Sequence, residues 1–275
     1  MKNVFLCFLL TAILFFAYNE NAPLGSLFAP PKEEKNDSSF SEEAISFCFG
    51  VAENGKPHEI SLSNQTYFDT FSNGTVLALD TKTKEKVLYL TFDSGYEYHD
   101  NTQETLRILN ENHVDAAFFC TLSFLQKNPS LIRDMIESGH TIGNHSATHP
   151  AFPELSETEM QAEIDAVDRY LSENFSYNCR YFRFPSGIYS EKALYIAEKM
   201  GHRSIFWSIA YADWDTENQM PPEKAMETLL SRLHPGAVIL LHSVSDTNLE
   251  ILADFIDAAR EKGYIFQSLD SYFKE

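Results

Sequence analysis

From Lys86 to the end of the chain, short apolar runs rich in β-branched and aromatic residues alternate with longer segments of helical period. The runs predict strands at 87–93, 115–120, 140–144, 180–184, 203–207, 237–242 and 263–267. Helices are predicted between them, near 101–113, 122–138, 155–173, 190–200, 221–233 and 247–262. The last helix carries Leu249, Leu252, Ile256 and Ala259 at spacings of three and four, which makes one apolar stripe. Gly139 falls just past a helical run, where a left-handed C-terminal cap favours glycine. Alternation sustained over about 180 residues implies an α/β protein with a parallel sheet, each helix being the crossover between strands. Whether that sheet closes into a barrel or stays open is not decided by periodicity. No shorter sequence repeat underlies the pattern.

The chain before Lys86 is of a different kind. Lys2 precedes an uncharged apolar run from Val4 to Tyr18. That run is shorter than the ~20 residues of a spanning helix and matches the core of a secretory signal. No small-x-small cleavage site follows, so residues 1–18 are expected to be a signal peptide or an N-terminal anchor, with the remainder exported. Residues 19–44, rich in Pro, Ser, Asn and charge, read as a flexible linker. Residues 45–85 read as an N-terminal extension of short strands and loops packed on the main body, the domain proper running from 86 to 272.

With 44% hydrophobic residues, 22 Phe and 13 Tyr, the 275-residue chain can bury a sizeable core. The net charge of -19 argues against nucleic acid or an anionic membrane surface as partner, which leaves the N-terminal apolar run as the one membrane contact. Outside the leader, Cys48, Cys120 and Cys179 have no metal-like spacing and allow at most one disulfide.

Unusual polar residues collect at one end of the predicted strands. Asp93 closes Leu90-Thr91-Phe92-Asp93, His145 and His149 follow the third strand, and Arg183 ends the fourth. Asp213 and Trp214 lie beyond the fifth, and His242 ends Val238 to Leu241. Carboxyl ends of parallel strands are where barrels and open α/β sheets alike build their sites. An acid at the tip of a buried strand must find a cation, a partner or a proton, and Arg183 is the cation expected to pair with it, Asp93 being the acceptor. A spacing of four, read as one helical turn, would aim His145 and His149 the same way, as two ligands of a divalent metal require; imidazole suits Zn²⁺. His242 with Asp213 has the make-up of an acid or base near neutral pH.

The segments TFDSGYE, NHSATH, RFPSG, DW and LLHS, in that order across about residues 86–270, resemble the five motifs of the NodB-type polysaccharide deacetylases. TFD-x-GYE, FWSIAYADW and HPGAVILLHSVS are most similar to the delta-lactam-biosynthetic N-acetylmuramic acid deacetylases of spore formers. The resemblance implies a distorted (β/α) barrel of about seven parallel strands and hydrolysis of an N-acetyl group on a cell-wall amino sugar. It makes Asp93 the general base, Arg183 its orienter, His145 and His149 the metal ligands, and His242, tuned by Asp213, the general acid. Trp214 and Leu240 would line the pocket for the acetyl methyl, and the N–H after Pro185, that of Ser186, would meet the oxyanion. The family pattern has a second aspartate where this chain has Ser94, which weakens the ligand set by one carboxylate.

Three functions stay in play: a metal-dependent deacetylase of N-acetylmuramic acid in peptidoglycan, the same chemistry on another N-acetylated glycan, or a glycan-binding domain without catalysis. In the second case the substrate would be N-acetylglucosamine in the wall, chitin oligomers or another polysaccharide. A base and an opposed acid count against the third, since binding alone needs neither.

Overall fold

The computed structural model describes residues 40–72 and 74–274; the leader and residues 19–39 of the linker lie outside them. No helix among the described residues is long and apolar enough to cross a membrane.

The extension before the barrel contains β1 (Ile45–Ser46), α1 (Glu59–Phe71) and β2 (Val76–Leu77). Helix α1 departs from the expectation of strands and loops. Its sequence, EISLSNQTYFDTF, lacks a regular apolar stripe and buries only Ser61, Gln65 and Phe68. Gln65 supplies the anchor that patterning cannot show: its Oε1 accepts the N–H groups of Ala78 and Leu79, and its Nε2 donates to the Val76 carbonyl.

The main body runs β3 (Val87–Ser94), α2 (Asn101–Glu111), β4 (Ala117–Cys120), α3 (Leu122–Lys127), α4 (Pro129–Glu137), β5 (Thr141–Asn144), α5 (Glu157–Phe175) and β6 (Tyr181–Phe182). There follow β7 (Ile188–Tyr189), α6 (Glu191–Lys199), β8 (Arg203–Ile205), α7 (Pro222–Arg232), β9 (Ala237–His242), α8 (Asp246–Glu261), β10 (Ile265–Phe266) and α9 (Leu269–Phe273). Every predicted strand forms. The helix expected over 122–138 is two, because Asn128 leaves helical backbone and Pro129 opens a new first turn. Gly139 caps the second with a φ of 86°.

In the sheet, β9, β3, β4, β5, β6 and β8 are parallel neighbours in that order. Just past β8 the backbone pairs with β9: Ser208 donates to Val238 and Leu240 to Ile209, each at 2.9 Å, which curls the sheet into a distorted barrel. Strand β10 extends the first residues of β3, and β2 lies beside β8.

Strand β3 is buried along its whole length, so its period of two sorts side chains between two interiors. Leu88, Leu90 and Phe92 face the helices, among Leu109, Ile132, Phe255 and Ile256. Val87 and Tyr89 face the barrel lumen with Phe119, Tyr181 and Val238. Phe92 stacks on Phe118 with centroids 5.1 Å apart; truncating it to Ala would cost about 3–5 kcal/mol in a core packed this closely. The same parity puts Asp93 at the luminal mouth and turns Ser94 outward.

Cys120 and Cys179 are buried and Cys48 is exposed; all three are free thiols.

Candidate active site

Asp93 is the last luminal residue of β3, in register with His242 of β9 and Phe119 of β4. Arg183, fully buried just past β6, donates from Nη1 to Asp93 Oδ1 at 2.8 Å. Its Nη2 donates to Thr91 Oγ1 at 2.9 Å and its Nε to the Ile205 carbonyl at 3.0 Å. The guanidinium lies 4.1 Å from the Phe119 ring centre. A buried cation held at several points is a fixed charge, and its worth lies in placing Asp93. Burial alone would raise the Asp93 pKa, but the Arg183 charge first, with the imidazoles that face the carboxyl, outweighs it and holds the carboxyl below its ordinary range.

His145 and His149 meet as expected, though not on a helical turn. They sit on a loop after β5 in which Ser146 and His149 take left-handed backbone, φ 66° and 62°. The rings lie 4.8 Å apart at 77°. His145 Nδ1 is bonded to the Arg183 carbonyl at 2.9 Å, which leaves Nε2 aimed at the cleft, 3.4 Å from Asp93 Oδ2. Burial lowers the His145 pKa to about 4, so the ring is the neutral form that a metal ligand must be. Asn144, fully buried, secures the loop: its Oδ1 accepts the Ser146 N–H, and its Nδ2 donates to Asp168 and the Ile164 carbonyl. Asp168 in turn bonds His202 Nε2 at 2.7 Å. Gly143 permits the close seat, since a Cβ there would fall 2.4 Å from the Phe119 ring.

His242 stands beside Asp93 on the neighbouring strand β9. Its Nδ1 bonds Asp213 Oδ1 at 2.7 Å and its backbone N–H donates to Oδ2 at 2.8 Å. Asp213 is almost wholly buried, at 1% exposed. Burial would lower the His242 pKa, but the bond to Asp213 and its charge prevail and raise it.

These groups share a cleft of about 800 Å³. Leu240, Trp214 and Ser186 line it as expected, with Gly95, Tyr96 and Trp207 added to the list. Pro185 is buried behind the wall and opens the single turn in which Ser186 adopts φ 54°. Trp214 is 58% exposed, an open aromatic face 5.9 Å from the His242 ring. Ser94 is fully buried, and its hydroxyl pairs with that of Ser243 at 3.1 Å.

The residues that sequence inspection missed are Thr91, Asn144, Asn248 and Tyr211, which support the groups around the reacting residues rather than present a reacting group. Thr91 carried a usable signal, being two positions before Asp93 on the same face of the strand. Asp168, Cys179 and His202 place ligand-type atoms within 4.8 Å of one another. That group lies off the cleft, and Asp168 and His202 are already bonded to each other behind Asn144.

The donor set at the cleft fits a divalent metal. Two imidazoles converge beside a carboxylate, one of them neutral by burial with its second nitrogen tied off.

The polysaccharide deacetylase family model matches residues 80–205. Over 194 residues the chain is 38% identical to the peptidoglycan-N-acetylmuramic acid deacetylase PdaA of Bacillus subtilis, covering 70% of this chain and 73% of that one. The solved structure of Bacillus subtilis PdaA, a family 4 carbohydrate esterase, superposes with a TM-score of 0.78 at 34% identity, over 86% of this chain and all of that one. A chitooligosaccharide deacetylase of Sinorhizobium fredii is 29% identical over 196 residues, 66% of this chain and 89% of that one. The chain belongs to the polysaccharide deacetylase family. It is a carbohydrate deacetylase, a hydrolase of N-acetyl amides.

Proposed function

We propose that the protein is an exported enzyme that removes the N-acetyl group from N-acetylmuramic acid in peptidoglycan, the step toward muramic delta-lactam in spore cortex. The observation that carries the reaction is that Asp93 and His242 stand side by side on paired strands in one cleft, each with its own orienting partner of opposite charge. Muramic acid as the sugar is supported by the GYE, FWSIAYADW and HPGAVILLHSVS segments and by the name of the 38% identical relative.

An amide is a weak electrophile whose amine leaves only when protonated, so hydrolysis needs a base, an oxyanion donor and an acid. Asp93, held ionised by Arg183, takes a proton from the attacking water. The Ser186 N–H, on the cleft wall, donates to the carbonyl oxygen as negative charge builds there. His242 delivers its Nε2 proton to the departing amine, and Asp213 on Nδ1 steadies the cationic ring beforehand. Leu240 and Trp214 accept the acetyl methyl. His145 and His149 would hold a divalent ion, zinc by ligand preference, which when bound supplies Lewis acidity to water and carbonyl.

The test is mass spectrometry of purified peptidoglycan after incubation with the exported domain, with and without chelator. Chelator-sensitive loss of acetyl from muramic acid is expected. Loss from glucosamine alone would move the enzyme to the second glycan class, and no loss from either would point to chitin oligomers or another N-acetylated polysaccharide as the substrate.

A further inference from the structure

The His242–Asp213 pair has a third member. Asn248, in the first turn of α8, is 4% exposed and donates from Nδ2 to Asp213 Oδ2 at 2.6 Å. The same Nδ2 lies 3.3 Å from the His242 carbonyl. Its Oδ1 accepts the hydroxyl of buried Tyr211, and its backbone N–H donates to Ser245 Oγ at 3.1 Å.

Counting donors at Asp213 fixes its state. Three N–H groups point at its two oxygens: His242 Nδ1, the His242 backbone and Asn248 Nδ2. A proton on either oxygen would face one of these donors, so the arrangement suits an acceptor-only carboxylate. The amide has two ends, and only one of them is useful here. Tyr211 selects it, because a hydroxyl hydrogen meets the amide oxygen and so turns the NH₂ toward Asp213. Burial, reinforced by the Asp213 charge, pushes the Tyr211 pKa up and keeps that hydrogen in place.

We propose that Asn248 is a positioning residue for the general acid, holding Asp213 in the orientation that keeps the His242 proton on Nδ1 and aims Nε2 into the cleft, and that Tyr211 sets the direction of the Asn248 amide. This rests on His242 being the acid. Three charged groups face that imidazole: Asp213 from the loop after β8, Asp93 from β3 and Arg183 from beyond β6. Exchanging Asn248 alters only the first of these contacts.

Asn248→Asp and Tyr211→Phe test the proposal, each purified as the folded exported domain. Asn248→Asp sets a second carboxyl against Asp213; a fall of roughly 10–100-fold in kcat is expected, a share of the full effect of a general acid, with KM near its original value. Tyr211→Phe keeps the packing while releasing the amide, and a fall of roughly 3–10-fold is expected on the same grounds. The hydrogen-bonded Nδ1 proton of His242, seen far downfield by NMR and assigned by its absence in His242→Ala, should move or broaden in both variants even without metal. A merely structural role would lower the melting temperature while leaving kcat per folded molecule, the basic limb of the pH profile and this proton signal unchanged. Such a result in Tyr211→Phe would overturn the proposal. Retained acetate release in His242→Ala would instead remove the acid assignment on which it stands.

Discussion

The two histidine-bearing edges of the cleft make an instructive pair. His145 lies on a left-handed loop after β5, while His242 ends β9 in regular strand geometry. His145 is driven neutral because burial dominates and its Nδ1 meets only a backbone carbonyl. His242 is driven toward the cation because its Nδ1 meets a buried carboxylate. The two rings thus differ in proton preference through burial and partners together, and that split matches the two jobs, since a ligand must be unprotonated and an acid protonated. The supports are alike: a buried asparagine stands behind each edge, Asn144 with Asp168 and His202, Asn248 with Asp213 and Tyr211.

Arg183 ties the His145 edge to Asp93, which lies between the two edges, through its carbonyl to His145 and its side chain to Asp93. The change with the largest effect on chemistry should therefore lie between the edges. Asp93→Asn is expected to cut acetate release by roughly 10²–10⁴-fold, as loss of a general base does, with an unchanged circular-dichroism spectrum. Undiminished release would break the assignment of both edges together. Arg183→Met leaves a buried carboxylate unpaired and should cost about 3–5 kcal/mol in denaturant unfolding, besides misaiming His145.

Next come changes that separate the edges. Asn144→Ala should weaken metal binding by roughly 10–100-fold by titration, as loss of an outer support does, while leaving the His242 Nδ1 proton signal in place. A shift of that signal would mean that the edges are not independent.

The proton split also predicts a pH response. Because the His242 pKa is raised in the fold, the stabilisation from its pair with Asp213 is complete below the ordinary imidazole range. It is lost as pH rises through the raised value, and acid catalysis declines over the same window. The basic limb of kcat should fall above the ordinary imidazole pKa and move to lower pH in Asp213→Asn, where the raising partner is gone; a limb unmoved by that substitution would assign it to another group. The smallest effect is expected at Ser94→Ala, which removes one neutral buried hydrogen bond worth about 1 kcal/mol and leaves acetate release intact. A large loss of metal affinity there would place the position 94 side chain at the ion.

Much of this architecture was written locally. Seven of the eight strands from Val87 onward show as apolar runs, most of them because both faces are covered, and the helices between them show as stripes. Helix α1 escaped because polar Ser61 and Gln65 share its inner side with Phe68, which breaks the apolar stripe. The break at Asn128–Pro129 was signalled by the proline yet hidden within a continuous apolar period.

The sequence by itself determined the strand–helix order and the end of the sheet at which Asp93, His145, Arg183 and His242 gather, because parallel strands put their carboxyl ends on one rim. What only the tertiary structure decided is the state and aim of those groups. Which nitrogen of each imidazole is tied, whether burial or a carboxylate sets its proton, and which way Ser94 turns all depend on neighbours tens of residues away. Thr91, Asn144, Tyr211 and Asn248 are ordinary polar residues in a one-dimensional chain. Closure of the barrel buries them, and a buried polar group must bond to whatever the fold brings beside it.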